Sequence, residues 1–128
     1  MAFLLYKKDN YLERIDVSNN KITYVGANKI FKAMKSTNII KSLILSNNNF
    51  SDGNVSYISL FLKSNKSVQK LNLSNCHLTN ETVKSICEFL KSDNTLNDLA
   101  IAKNRIHVKL KSSILQFYLV NLWPIINH

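Results

Sequence analysis

The sequence predicts an α/β fold, a short solenoid in which each repeat supplies one strand and one helix. One pattern returns four times at an unbroken spacing of 28 residues, and it reads LERIDVSNNKI from Leu12, IKSLILSNNNF from Ile40, VQKLNLSNCHL from Val68 and LNDLAIAKNRI from Leu96. Within every copy, apolar residues recur first at every second position and later at every fourth, which indicates a strand followed by a helix. A fixed period of this length is typical of stacked repeats.

The first half of each copy predicts a short strand with its apolar side chains on one face. Two apolar columns lie two residues apart, and this spacing in a strand puts both side chains on the same side. The columns are Ile15, Leu43, Leu71 and Leu99, and then Val17, Leu45, Leu73 and Ile101. The chain then turns at a column formed by Asn20, Asn48, Cys76 and Asn104. Because an amide donates and accepts at once, we expect this column to be structural and to satisfy the backbone groups that the turn frees.

The second half of each copy predicts an amphipathic helix of about three turns. Apolar pairs four residues apart mark its buried side, and they are Ile30 and Met34, Ile58 and Leu62, Ile86 and Leu90, and Ile114 and Tyr118. Thr23, Ser51 and Thr79 precede the first three helices and suit the N-cap position. One strand and one helix cannot bury an apolar side alone, so we expect the copies to stack and their strands to join one parallel sheet.

We expect one domain over residues 1–128, with a partial helix at 1–11 and repeats at 12–39, 40–67, 68–95 and 96–128. The partial helix is expected because LYKKDN from Leu5 aligns with FLKSDN from Phe89, three periods later. The last helix carries extra apolar residues, which we expect to fold back as a cap on a monomer: Leu119, Leu122 and Trp123, with Pro124 ending the helix. End-to-end pairing of two chains through this surface is the alternative.

These columns resemble the leucine-rich repeat, and the helical 28-residue form resembles the ribonuclease-inhibitor subtype, in which Asn-type and Cys-type copies alternate. NCHLT at 75–79 is similar to the Cys type, and SNNKITYVG at 18–26 is similar to the Asn type. The resemblance implies a curved solenoid with parallel strands on the concave face, helices on the convex face and a protein as the usual partner. The glycine that the family places before the helix is present as Gly26, shifted to Gly53 in the second copy, and replaced by Thr82 and Leu110 later.

The concave face of such a solenoid comes from strand residues that point away from the core. For binding a protein partner we single out Arg14, Asp16, Ser42, Ile44, Lys70, Asn72 and Asp98. The rim beyond the strands adds Asn19, Lys21, Asn47, Asn49, Asn75, His77, Lys103 and Arg105. Ile44 is expected to be exposed at the centre of this mixed surface. We therefore predict a non-catalytic protein-interaction module.

Two alternatives stay open. FLKSNKSVQKLNLS from Phe61 and FLKSDNTLNDLAIA from Phe89 are similar to segments of the tropomodulin C-terminal domain, which implies an actin-associated or Ran-activator-like GTPase-regulating repeat domain. The second alternative follows from the net charge of +9. One lysine column recurs at the helix ends, namely Lys7, Lys35, Lys63 and Lys91. These lysines complement the helix dipoles, and they also form a convex basic stripe that suits an acidic partner.

Other classes of function find little support. The chain has no Gly-rich phosphate loop and no nucleophile elbow, so we expect no catalytic residue and no cofactor. Cys76 and Cys87 are expected to be free thiols of a reducing, cytoplasmic compartment, and with His77 they are too few for a metal site. No aromatic residue interleaves the lysine column, and no apolar stretch is long enough for a membrane span, so we expect neither a nucleic acid nor a membrane as partner.

Overall fold

Three helices alternate with four strands in the computed structural model, which describes residues 12–34, 38–51, 56–90 and 95–105. The elements are β1 (Arg14–Asp16), α1 (Tyr24–Met34), β2 (Ser42–Ile44), α2 (Ser56–Ser64), β3 (Lys70–Asn72), α3 (Asn80–Leu90) and β4 (Asp98–Ala100). Several predictions lie outside the described residues: the partial helix at 1–11, the fourth helix and its cap, Gly53, Leu110, Lys7, Lys35, Lys91 and the side chain of Cys87.

The four strands form one parallel sheet in the order β1-β2-β3-β4. Each residue pairs with the residue one period later, as in the row of Ile15, Leu43, Leu71 and Leu99. Pairing continues beyond the strand ends, because Val17 N donates to Ile44 O at 3.0 Å and Asn19 N donates to Ser46 O at 3.0 Å. The sequence period is therefore the register of the sheet.

The core lies between the sheet and the helices, as the two apolar periods predict. The innermost strand row, Ile15, Leu43, Leu71 and Leu99, is at most 1% exposed. All six residues of the first three helical pairs are buried as well. Val17 and Ile101 are only partly buried, and both belong to the outer copies of the described stack.

The helix starts agree with the sequence in two copies. Thr23 and Thr79 stand directly before α1 and α3, where their carbonyls accept from Ala27 N at 3.0 Å and Val83 N at 3.1 Å. Residues 52–55, which follow Ser51, lie outside the described residues, so its predicted N-cap role stays a prediction; its hydroxyl donates to Asn49 Oδ1 at 2.7 Å.

Gly26 does not precede its helix as the family pattern led us to expect. It lies in the first turn of α1, since that helix already begins at Tyr24. A Cβ at this position would come within 3.0 Å of Ile22 Cγ2. The glycine therefore relieves a close approach between the helix and the chain that leads into it. Thr82, the equivalent residue two periods later, is likewise inside α3 and is buried.

Aromatic rings fill the contact between α1 and α2. Phe31 stacks on Phe61 with ring centroids 4.4 Å apart and an interplanar angle of 17°. Tyr57 packs beside both Phe31 and Tyr24, at centroid distances of 5.8 and 6.3 Å. The hydroxyl of Tyr57 is buried and meets no hydrogen-bonding group in the part of the chain that the structure describes.

Candidate protein-interaction surface

A column of side chains at the turn holds adjacent repeats together. Asn48 is 4% exposed, and its Nδ2 donates to Leu45 O at 2.8 Å in its own repeat and to Val17 O at 3.1 Å in the repeat before. Its Oδ1 accepts from Ile22 N at 3.1 Å. One amide thus satisfies backbone groups of two repeats.

Asn104 repeats this arrangement two copies later. Its Oδ1 accepts from both Cys76 N and Leu78 N at 2.9 Å, and its Nδ2 donates to Leu73 O and Ile101 O at 2.9 Å. Asn20 occupies the same column but is exposed, and its Nδ2 donates to carbonyls of its own repeat. The same residue type therefore has a different environment according to its place in the stack.

Cys76 occupies the same column and makes its contacts through its thiol and its backbone carbonyl instead of a side-chain amide. Its Sγ donates to Leu45 O at 3.1 Å, and its backbone carbonyl accepts from Phe50 N at 3.0 Å. In the Asn copies, the equivalent N–H groups of Ile22 and Leu78 reach a side-chain oxygen instead. Cys76 is fully buried and free, and burial raises the pKa of its thiol to about 11.

A second amide row runs along the rim just outside this column. Asn75 Nδ2 donates to Asn47 Oδ1 at 2.9 Å, and Asn47 Nδ2 donates to Asn19 Oδ1 at 2.9 Å. All three residues have positive φ, between 52° and 58°, which asparagine tolerates better than most residues. The next position in this row is Lys103, also with a positive φ of 55°.

The structure brings the seven predicted concave-face residues into two contiguous rows. One row is Arg14, Ser42, Lys70 and Asp98, and the other is Asp16, Ile44, Asn72 and Ala100. Arg14, Asp16 and Lys70 are exposed, and the others are half-buried. Ile44 is half-buried between Asp16 and Asn72 in its row, so the prediction that it is exposed is wrong.

Charges on and beside the first strand are paired locally. Arg14 Nη2 lies 3.2 Å from Asp16 Oδ2, and Lys41 Nζ lies 3.7 Å from Glu13 Oε1. The Ser18 hydroxyl and N–H both donate to Asp16 Oδ1, at 2.6 and 3.0 Å, and these bonds hold the pKa of Asp16 below its usual value. Asp16 is therefore an anion already engaged at the end of β1.

The rim beyond β3 and β4 carries two cations and a histidine without such partners among the described residues. His77, Lys103 and Arg105 form what we call the exit-rim patch, and no ion pair or side-chain hydrogen bond joins them to another described residue. Asn75 N donates to Ala102 O at 2.9 Å and Arg105 N donates to Leu78 O at 3.0 Å, so the two turns lie side by side.

Asn65 is a structural residue that sequence reasoning missed. It lies just after α2 and is buried, and its Oδ1 accepts from Ser67 N at 2.9 Å and Val68 N at 3.0 Å. Its Nδ2 reaches Met34 O at 3.4 Å in the preceding helix. The signal was available in the polar residue that follows the helix in each copy, as in KSNKS and KSDNT.

No group of three or more His, Cys, Asp or Glu side chains that could hold a metal ion exists among residues 12–34, 38–51, 56–90 and 95–105. In the same ranges, no helix is both long and apolar enough to cross a membrane. The described strands offer a polar, partly charged surface on a parallel sheet.

Known proteins show the same architecture. The family described as "Leucine Rich repeat" matches residues 8–31 and 64–87, two segments that begin two periods apart and contain β1 and β3. Among solved structures, the chain is similar to "Leiomodin-1 Actin-Binding Site 2 (ABS2)", with a TM-score of 0.78 and 24% identity over 90% of this chain and 68% of that chain. No curated protein matches the chain.

The periodic parallel sheet and these matches support a leucine-rich-repeat protein. The fold is an α/β leucine-rich-repeat solenoid, with its strands on the concave face and its helices on the convex face. Leucine-rich-repeat domains typically bind other proteins.

Proposed function

We propose that this chain is a non-catalytic protein-interaction module that binds a protein partner on its concave face. The observation that supports the proposal most is the pair of in-register rows on the sheet. In one row the exposed Arg14 and Lys70 lie on either side of Ser42, and in the other a half-buried Ile44 lies between Asp16 and Asn72. A partly apolar centre inside a polar rim is the usual anatomy of a binding surface. The strand spacing of about 4.8 Å makes these rows contiguous across four repeats.

The convex face offers a weaker case. Its exposed apolar residues among the described helices are Leu60 and Val25, which lie on different helices. Single exposed apolar residues are normal on a protein surface. Lys63 is exposed in the last turn of α2, where a cation complements the helix dipole.

Matched charge reversals test the concave proposal. Lys29 is exposed on α1 and serves with Lys63 as the control pair on the helices. In a pull-down read by mass spectrometry, we expect the wild type and Lys29→Glu/Lys63→Glu to retain one common partner, and Arg14→Glu/Lys70→Glu to lose it. Both double variants lower the net charge equally, so a difference reports position. Loss in the convex variant alone would instead support the basic-stripe alternative, and that binding should also collapse with added salt, whereas concave docking should weaken modestly.

The second candidate is an actin-associated role of the tropomodulin kind, or a GTPase-regulating role of the Ran-activator kind. The observation in its favour is the similarity to a leiomodin-1 fragment that is described as an actin-binding site. Co-sedimentation with filamentous actin tests it directly. Pelleting of the wild type, and reduced pelleting of the Arg14→Glu/Lys70→Glu variant, would support it; no pelleting above the level of a non-binding control would contradict it.

We also propose the finer features of the domain. The register of one period per strand supports a single domain with repeats at 12–39, 40–67, 68–95 and 96–128. The exchange of amide for thiol contacts at Asn48, Cys76 and Asn104 supports the ribonuclease-inhibitor-like subtype.

A cytoplasmic location is part of the proposal and rests on cysteine chemistry. Cys76 is a free thiol held inside the core, which suits a reducing compartment. Thiol titration of the denatured protein without reductant should find Cys76 and Cys87 both free. Finding no free thiol would contradict the compartment.

A further inference from the structure

The fourth copy departs from the repeat pattern at a position where the backbone disfavours the change. Asn19, Asn47 and Asn75 hold positive φ and form the outer amide row, and Lys103 takes the fourth place with a φ of 55°. Lysine fits this conformation less well than asparagine, and it has no amide with which to continue the row. Local rules of this kind are most often broken where function requires it.

A second residue beside Lys103 shows a related departure. His77 has a φ of 58°, whereas none of its equivalents in the other copies, Lys21, Asn49 and Arg105, has a positive φ. Because the turn of β3 lies against the turn of β4, His77 and Arg105 occupy equivalent places on adjacent turns, about one strand spacing apart. His77 and Lys103, which have the unusual backbone conformations, thus lie together with Arg105 at one corner of the rim.

Two exposed cations, two residues apart in the chain, lie at this corner of the rim. Arg14 and Lys41 have carboxylate partners at 3.2 and 3.7 Å. Lys103 and Arg105 have no such partner among the described residues, and both are exposed. An exposed cation pair without internal compensation is available to an external anion at no cost in broken ion pairs.

We propose that the exit-rim patch of His77, Lys103 and Arg105 binds a short acidic segment of a partner protein. Arginine can hold a carboxylate through two parallel hydrogen bonds, and lysine adds a point charge beside it. In an extended segment, alternate side chains lie about 7 Å apart on one face, which matches a span of one to two strand spacings. The inference rests on the proposed function, because it assigns the chemistry of the part of the partner that passes over the rim next to the concave rows.

A protein segment fits this patch better than other anions do. Single-stranded nucleic acid is usually held by basic residues together with aromatic side chains that stack on bases, and the patch has no phenyl, phenol or indole ring. Binding to anionic lipid usually needs a cluster of about four to eight Lys or Arg residues, and the patch has two.

The test is a fluorescence anisotropy titration with a labelled peptide of alternating glutamate and serine. We expect Lys103→Glu/Arg105→Glu to bind the peptide about tenfold or more weakly than the wild type, and Lys29→Glu/Lys63→Glu to stay within about twofold. The two variants change the net charge equally. Equal losses in both, or no binding by the wild type, would overturn the inference.

A milder variant guards against misfolding. Lys103→Asn/Arg105→Gln removes both charges and restores at 103 the residue of the three earlier copies, so it should fold as judged by circular dichroism. We expect it to bind the peptide about threefold to tenfold more weakly. A folded variant with unchanged affinity would overturn the inference.

Competition and a concave-face variant complete the design. An oligothymidylate of equal charge, or phosphatidylserine vesicles, should displace the labelled peptide less effectively than unlabelled peptide does. Stronger displacement by either would show that the patch prefers a nucleic acid or a lipid surface to an acidic protein segment, and would overturn the inference. Ile44→Asp should abolish capture of the whole partner, because it places a charge at the centre of the concave rows. If Ile44→Asp retains the partner while the exit-rim variant loses it, the concave proposal fails and this inference stands.

Discussion

The sharpest prediction concerns Asn48, whose amide joins the first two described repeats. Replacing it with alanine removes an acceptor from Ile22 N and donors from the carbonyls of Val17, Leu45 and Ser46, at distances of 2.8–3.3 Å. The site is 4% exposed, so water does not readily replace these contacts.

The loss of hydrogen bonds at the carbonyl groups costs less free energy than their number suggests. After Asn48→Ala, Val17 O still accepts from Asn20 Nδ2 at 2.9 Å, and Leu45 O still accepts from Cys76 Sγ at 3.1 Å. A carbonyl that keeps one of two partners is still satisfied, so we assign these losses about 0.5–1 kcal/mol each.

The N–H group of Ile22 has no second partner among the described residues, since its acceptor is Asn48 Oδ1 at 3.1 Å. A buried donor left without an acceptor costs about 1–3 kcal/mol. Together with the carbonyl terms, Asn48→Ala should lower the free energy of unfolding by about 3 kcal/mol. Asn20→Ala is the matched control, because its amide is exposed and donates only to carbonyls of its own repeat; it should cost under about 1 kcal/mol.

Urea denaturation measures both losses, and amide hydrogen exchange locates them. In Asn48→Ala, Ile22 N–H should lose protection more than Leu78 N–H, which Asn104 Oδ1 holds at 2.9 Å. In Asn104→Ala the order should reverse. Equal costs for Asn48→Ala and Asn20→Ala, or the same drop in protection at both amides in each variant, would refute the hydrogen-bond argument.

Four further predictions follow from burial and chemistry. Leu71→Ala should cost about 2–5 kcal/mol because the side chain is 1% exposed between two strands, while Lys63→Ala should stay within about 0.5 kcal/mol; equal losses in urea would contradict the register. Tyr57→Phe should stabilise the protein by about 1 kcal/mol, since it removes a buried hydroxyl that meets no partner among the described residues; a lower melting temperature would reveal a partner. The folded pKa of Cys76, about 11, lies above its ordinary value of 9.0, so its contribution to stability is present below pH 9 and is lost as the pH rises towards 11; Cys76→Ala should flatten that part of the curve. Sedimentation should show a monomer at all concentrations with Trp123 shielded from quenchers; a dimer abolished by Trp123→Asp would mean that the C-terminal surface is an interface.

The sequence was sufficient for the repetitive part of the structure. Leu43, Leu71 and Leu99 recur at one spacing, and the sheet pairs them at that spacing, because each parallel strand meets the same neighbour geometry. A periodic environment selects the same residue type in every copy, which makes the core readable from one chain.

The remaining features depend on what lies next to each copy. Asn20 and Asn48 share a column, yet Asn20 is exposed, whereas Asn48 is buried and donates to a backbone carbonyl of the preceding repeat. Ile44 is half-buried in the row between Asp16 and Asn72, and Lys103 holds the positive φ that asparagine has in the other copies. Periodicity alone carries no information about such differences.

In a solenoid of this kind, the residues most informative about binding are those that vary while the backbone stays constant. The core row is aliphatic in all four copies, whereas the row beside it changes from Arg14 to Ser42, Lys70 and Asp98 on the same paired backbone. Such outward changes have little effect on stability, so they are free to follow the needs of a partner. Lys103 goes further, because it replaces asparagine where the backbone favours asparagine. Lys103 places a charge where the backbone conformation favours asparagine, and Arg105 adds a second exposed cation two residues later. Variants at these two positions are therefore the first to test for binding to a partner.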